Sequence, residues 1–258
     1  MSQNEKFKIG STEGFVHLSR APIIEAVFKV IAQASIPWEE KNILDPLRLK
    51  LPAYPTNRTV RRMSGQLSPV LQSSVTSEKI GWIGYQFTSA DEKQIALFQQ
   101  DFFSFSRLSP YIDWNDFIGE ALRLWKIHIE ISKPTWIQRL DVRFINRFEV
   151  GDKPVSISDF FVGFPSALPD LNFVHASFFH EDTMLVPEHP YFVTLIKTVR
   201  DNGTPDHSPA FILDIDVHNT VPFEINTAEI EKRLGEMRWL KNKAFFGSIT
   251  PELVEKLK

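Results

Sequence analysis

The chain has no cysteine, which excludes disulfide frameworks, thiolate metal sites and cysteine nucleophiles. Glycine is scarce as well. Eleven in 258 residues leave few positions for loops that wrap a phosphate, and no G-x-G-x-x-G, Gly-Lys-Ser/Thr phosphate loop, H-E-x-x-H or G-x-S-x-G occurs. No apolar run is long enough to span a membrane, and no apolar stretch with a small-residue cleavage site follows Met1. Net charge is nearly absent: 29 basic and 32 acidic side chains leave a formal −3, so no global field gathers nucleic acid or anionic lipid. These absences predict a cytoplasmic protein with no membrane partner, no nucleic-acid partner and no cofactor.

What is present in excess is phenylalanine, 22 residues. Such side chains either fill a core covered on more than one side or form a surface for a partner. A chain of this length can bury a large core unaided. The most basic stretch, Arg48, Lys50, Arg58, Arg61 and Arg62, reads as a solvated loop and strand edge.

Hydrophobic periodicity organises the rest. Residues 1–16 are polar and aperiodic and are expected to form a flexible N-terminal arm. Two units follow, 17–136 and 137–258, each ordered strand, short helix, three strands, long helix. In the first, residues 23–33 alternate as a strand. Residues 38–51 suggest a helix broken at Pro46, and strands are expected at 60–67, 82–89 and 93–108. A helix over 113–131 has Asp113 as cap and Phe117, Ala121, Leu124, Trp125 and His128 on one face. In the second unit, Leu140, Val142 and Phe144 alternate with Asp141 and Arg143, and a short helix at 158–164 follows. Strands are expected at 173–184, 191–200 and 210–219, with a turn at 201–203, before a helix over 227–245 capped by Asn226. The predicted class is α+β: two tandem antiparallel sheet-plus-long-helix units packed as a pseudo-dimer in one compact domain. Each sheet is expected to take from the other unit the cover its own helix cannot give.

Five strings carry a family resemblance. They are Ala21-Pro22-Ile23-Ile24-Glu25-Ala26-Val27, Phe103-Ser104-Phe105-Ser106-Arg107-Leu108-Ser109-Pro110-Tyr111, Arg143-Phe144-Ile145-Asn146-Arg147, Leu213-Asp214-Ile215-Asp216-Val217 and Lys241-Asn242-Lys243-Ala244-Phe245-Phe246-Gly247-Ser248-Ile249-Thr250. In order and spacing they resemble a sporadically distributed family of uncharacterised bacterial proteins. The resemblance implies no activity, cofactor or catalytic residue, and a patchy distribution of that kind often accompanies mobile or defence-associated genes. The element order also looks like a doubled export-chaperone subunit of the SecB type, an analogy of fold only.

The candidate chemistry lies on strands. Asp214 and Asp216 share a strand face and could hold a divalent cation if a third acid, Asp141 or Glu149, stood nearby. The same spacing arises in any half-exposed strand. Arg143 and Arg147, with Asn146 between them, could clamp an anion, or could pair across strands with Asp214 or Asp216. His175 and His180 point to opposite strand faces, and zinc there would need the loop near His189 to fold back. The leading expectation is a non-enzymatic protein-binding role, chaperone-like or antitoxin-like, with another protein or a second copy as partner. The alternative is a metal-dependent phosphoesterase using Asp214, Asp216, Asp141, Arg143 and Arg147. The third reading is a small-molecule-binding module with the ligand between sheet and helix.

Overall fold

The computed structural model describes residues 7–64, 79–149, 156–163, 177–200 and 210–258. In chain order these form β1 (Ile23–Ile31), α1 (Glu40–Lys50), β2 (Thr56–Ser64), β3 (Lys79–Thr88), β4 (Gln94–Gln99), β5 (Phe102–Leu108), α2 (Trp114–Ser132), β6 (Trp136–Ile137) and β7 (Arg139–Glu149). A 3-10 turn (Ile157–Asp159) precedes β8 (Phe179–Leu185), β9 (Tyr191–Arg200), β10 (Ala210–Asn219), β11 (Phe223–Glu224), α3 (Thr227–Ser248) and α4 (Pro251–Leu257). The expected strand ends at 65–67 and 173–176, the turn at 201–203 and His175 lie outside the described residues.

The α+β class holds, with one large sheet of nine strands. Their order is β2-β3-β4-β5-β1-β7-β10-β9-β8, every neighbour antiparallel, while β6 and β11 form a separate ribbon. The strands of the two halves meet edge to edge through β1 and β7, where Phe28 faces Val142 and Ala26 faces Phe144. They do not stack as two facing sheets. Edge joining gives every backbone N–H and C=O of β1 and β7 a partner strand on both sides, which face packing would have left to solvent.

The contacts of α2 and α3 with the central strands fall on one face. Phe105 stacks on Phe117 of α2 at 5.8 Å, Phe103 lies 5.9 Å from Trp125, and Phe144 meets both Trp114 and Phe117. Lys241 of α3 sits over that same Phe144 ring at 4.3 Å, so the two long helices share one side of the sheet. Leu213, Ile215 and Val217 of β10 and Leu140, Val142 and Phe144 of β7 complete the buried layer. The doubled phenylalanines divide accordingly. Phe103 and Phe105 are buried beneath α2, Phe102 is half-buried on the other face, and Phe160, Phe161 and Phe178 gather around Phe211 at 4.6–6.1 Å, with Phe148 6.1 Å from both Phe160 and Phe161.

Local chemistry explains most boundaries. Asp113 accepts from Asp116 N and Asn226 from Glu229 N, closing the first turns of α2 and α3 as expected. Asp91 accepts from Ser89 Oγ and Lys93 N in the β3–β4 turn. Three expectations are corrected. Helix α1 runs through Pro46 unbroken, anchored by buried Ile43 and Leu47 on either side of it. The strand expected over 93–108 is two strands that turn at Gln100 and Asp101. From residue 7 the N-terminal arm lies against α3, Phe15 stacking on Phe246 and Phe7 meeting Trp239 edge-on.

Candidate functional site

The arm is strapped down by polar contacts at both ends. Glu13 accepts from Trp239 Nε1 at 2.7 Å and from Lys243 Nζ at 2.6 Å, and these bonds lower its pKa. Further on, Arg20 N donates to the carbonyl of Leu257 at 3.0 Å. Between this strap, the β1–β7–β10 surface, the start of α2 and the C-terminal half of α3 lies a cleft of about 500 Å³. A volume of this size suits a small organic molecule.

Its walls are aromatic: Phe15, Tyr111, Trp114, Phe144, Phe245 and Phe246. Its charge comes from one helix. Arg238, Lys241, Asn242 and Phe245 recur on α3 at the spacing that puts side chains on one face, and all four line the cleft. The Arg238 guanidinium lies 5.6 Å from the Trp114 ring centre, and the Lys241 ammonium lies over the Phe144 ring in a residue that keeps only part of its surface exposed. Neither has a carboxylate partner among the described residues. Burial, with a smaller contribution from the Arg238 charge, lowers the Lys241 pKa to about 7. Asp113 also lines the cleft, but its carboxylate is engaged as the α2 cap. Glu13 is held by Lys243 and Trp239.

Residues from each of the five strings singled out in the sequence reach this cleft. Ala21, Pro22 and Ile23 come from the first, Tyr111 from the second, Phe144 and Asn146 from the third, Ile215 from the fourth, and Lys241, Asn242, Phe245 and Phe246 from the fifth. Asn146 is buried and spends its amide group on the carbonyls of Phe144 and Leu213, locking β7 to β10 at the cleft floor.

The acids and arginines singled out from sequence lie on the opposite face of the sheet. Arg143 binds Asp214 through both guanidinium branches, with Nε to Oδ1 at 2.8 Å. This is the cross-strand ion pair that alternation predicted. Arg147 joins Glu149 instead, at 2.7 Å. Arg139 grips Asp141 Oδ1 through Nε at 2.7 Å and Nη2 at 2.6 Å, and reaches Asp216 Oδ2 at 3.6 Å. Asp141 does stand near Asp216, because Asp141 pairs in register with His218, two residues beyond Asp216 on the same face. Asp141, Asp216 and His218 each place a donor atom within 4.8 Å of the others. Asp214 is not part of this group.

His180 pairs with Asp182 at 3.4 Å, and His189 meets Phe7, so the two do not converge. Sequence reasoning missed Lys241 and Arg238, whose i, i+3 spacing with Phe245 was visible, and His218, which continues the Asp214, Asp216 alternation by one step. Comparison of the chain with protein-family models, with curated proteins and with solved structures finds no match.

Proposed function

We propose that the protein binds a small organic anion with a flat apolar body in the cleft between the sheet and α3. The observation that carries this reading is the pair Arg238 and Lys241, two cationic groups without carboxylate partners, turned into an aromatic-walled cleft of about 500 Å³. Aromatic walls favour a planar apolar body, and the guanidinium fork favours a carboxylate or phosphate at one end. The reading is tested by thermal-shift titration with aromatic carboxylates and aryl phosphates on wild type, Lys241→Met and Arg238→Gln. Saturable stabilisation by at least one compound, lost in both variants, is expected. Stabilisation that survives in both variants, or no stabilisation by any member of either class, sinks it.

Because Lys241 loses its proton above about pH 7 while Arg238 stays charged, affinity should fall as pH rises through that range and then level off.

A second reading, engagement of another protein in a chaperone-like or antitoxin-like way, is favoured by β8. This edge strand exposes Phe179, Met184 and Leu185, whereas the opposite edge, β2, carries Arg58, Arg61 and Arg62, the usual guard against strand addition. Leu185→Lys should abolish any self-association or partner capture without disturbing the cleft.

We also infer an internal duplication. Reading outward from the β1–β7 junction, the order β1, β5, β4, β3 on one side parallels β7, β10, β9, β8 on the other, and each run is followed in sequence by a long capped helix.

A further inference from the structure

The three donors on the sheet face opposite the long helices leave valences that their neighbours among the described residues do not fill. Asp141 is 3 % exposed. Its Oδ1 is taken by Arg139 and, at 3.5 Å, by Lys29, while its Oδ2 is buried with no hydrogen-bond partner. His218 Nδ1 is likewise buried with no hydrogen bond, 3.5 Å from Asp216 Oδ2. Asp141 Oδ2, and His218 Nδ1 in the tautomer that carries its proton on Nε2, are then buried acceptors without a hydrogen bond, which is costly unless a cation joins them.

We propose that Asp141, Asp216 and His218 bind a first-row divalent cation, with Zn²⁺ the best fit. An imidazole nitrogen with two carboxylate oxygens is a mixed donor set that suits zinc and its transition-metal neighbours over Mg²⁺ and Ca²⁺, which take oxygen. Three protein donors leave a fourth position open. The surroundings behave as a supporting shell: Arg139 orients Asp141 through the oxygen the metal would not use, and Phe192 stacks on the His218 ring at 5.7 Å, fixing its plane. The charged groups facing the site are Lys29, Arg139 and Arg143 against Asp141, Asp214 and Asp216. Arg143 is spent on Asp214, so two acids face Arg139 and Lys29. That near balance sets the expected affinity at micromolar rather than nanomolar.

The test is calorimetric titration of the full chain with Zn²⁺ and with Mg²⁺, paired with the visible absorption of Co²⁺ added to metal-free protein. Expected are one Zn²⁺ per chain with micromolar affinity, weakened at least tenfold in His218→Ala, unchanged in the surface control His180→Ala, and at least a hundredfold preference over Mg²⁺. Co²⁺ should give intense d–d bands that vanish in His218→Ala. Asp141→Asn should also abolish binding. If Asp141→Asn fails to fold, the His218→Ala titration and the cobalt spectrum decide alone. Equal Zn²⁺ binding by wild type and His218→Ala, or a cobalt spectrum no different from the aqueous ion, overturns the proposal.

Discussion

Lys241→Met is the most informative single change, because a binding residue and a structural residue respond to it with opposite signs. The methionine keeps most of the apolar stem and removes the ammonium. The group's pKa falls from 10.5 to about 7 on folding, and at about 1.4 kcal/mol per pH unit that corresponds to a ceiling of about 5 kcal/mol against burying the charge. The side chain is only half-buried and rests on the Phe144 face, which returns part of that cost. A realised penalty of about 1–3 kcal/mol is therefore expected. The sign follows from proton counts: between pH 7 and 10.5 the unfolded chain binds the proton and the folded chain releases it, so wild-type stability rises with pH across that window. Below pH 7 both states hold the proton and the penalty is complete. Lys241→Met should therefore be more stable than wild type at pH 6 by that 1–3 kcal/mol, a rise in Tm of about 3–10 °C for a chain of this size, and the gap should close by pH 10. Urea denaturation across pH 6–10 measures it. A variant less stable than wild type at pH 6, or a gap independent of pH, would show that the ammonium serves the fold and not a ligand.

Four further changes probe the frame around the cleft. Phe103→Ala empties a site ringed by Phe28, Phe98, Trp125 and His128, and a loss of about 3–5 kcal/mol in urea denaturation is expected. At Gly84 the φ is +155° and an added Cβ would stand 2.0 Å from the Phe98 carbonyl oxygen. Gly84→Ala should cost about 3 kcal/mol or more, and a change under about 0.5 kcal/mol would refute the close approach. Asn226→Ala removes the cap of α3 and should lower stability by about 1 kcal/mol. Burial holds the His128 pKa near about 3 against 6.5 in the unfolded chain, so stability should fall as pH drops from 6.5 towards 3, and His128→Leu should flatten that part of the acid-unfolding curve.

Much of the element order was legible because each element announces itself locally. Asp113 and Asn226 mark helix starts through their own side-chain hydrogen bonds, and the alternation Leu140, Val142, Phe144 fixes both the identity of β7 and the face it buries. What sequence could not give is which edge meets which. The pairing of β1 with β7 joins residues more than a hundred positions apart, and periodicity carries no information about lateral neighbours. The same limit governs the sites. Asp214 was a candidate to hold a metal with Asp216, against the alternative of plain strand alternation; register sets Asp214 within Arg143's reach and brings His218 opposite Asp141. Lys241 went unnoticed because a lysine on a helix is ordinarily solvated, whereas here it lies over the Phe144 ring of the sheet. Pro46 was read as a helix breaker on propensity, and the packing of Ile43 and Leu47 overrode it.

The duplication we infer gives the cleft a counterpart, and comparing the two explains why only one is open. Counting from the cap of each long helix, Lys241 follows Asn226 by the same interval as His128 follows Asp113, and Arg238 corresponds in the same way to Trp125. Both helices thus carry a basic group at the equivalent turn, and burial lowers the pKa of both, His128 to about 3 and Lys241 to about 7. In the first half the position is sealed: Trp38 lies 5.5 Å from His128, Trp125 stacks on it at 5.2 Å, and the imidazole is fully buried, with Ser132 as its hydrogen-bond partner among the described residues. In the second half Arg238 stands where Trp125 does, beside the Trp114 ring, and the N-terminal arm, held by Glu13, forms one wall of the cleft. An aromatic plug and a neutral base make a core; on the proposed reading, a ligand would enter the second half's cleft by displacing the salt-bridged arm. On this account removing the strap's anchor with Glu13→Gln should leave the core intact, raise the association rate of any cleft ligand and weaken nothing at His128.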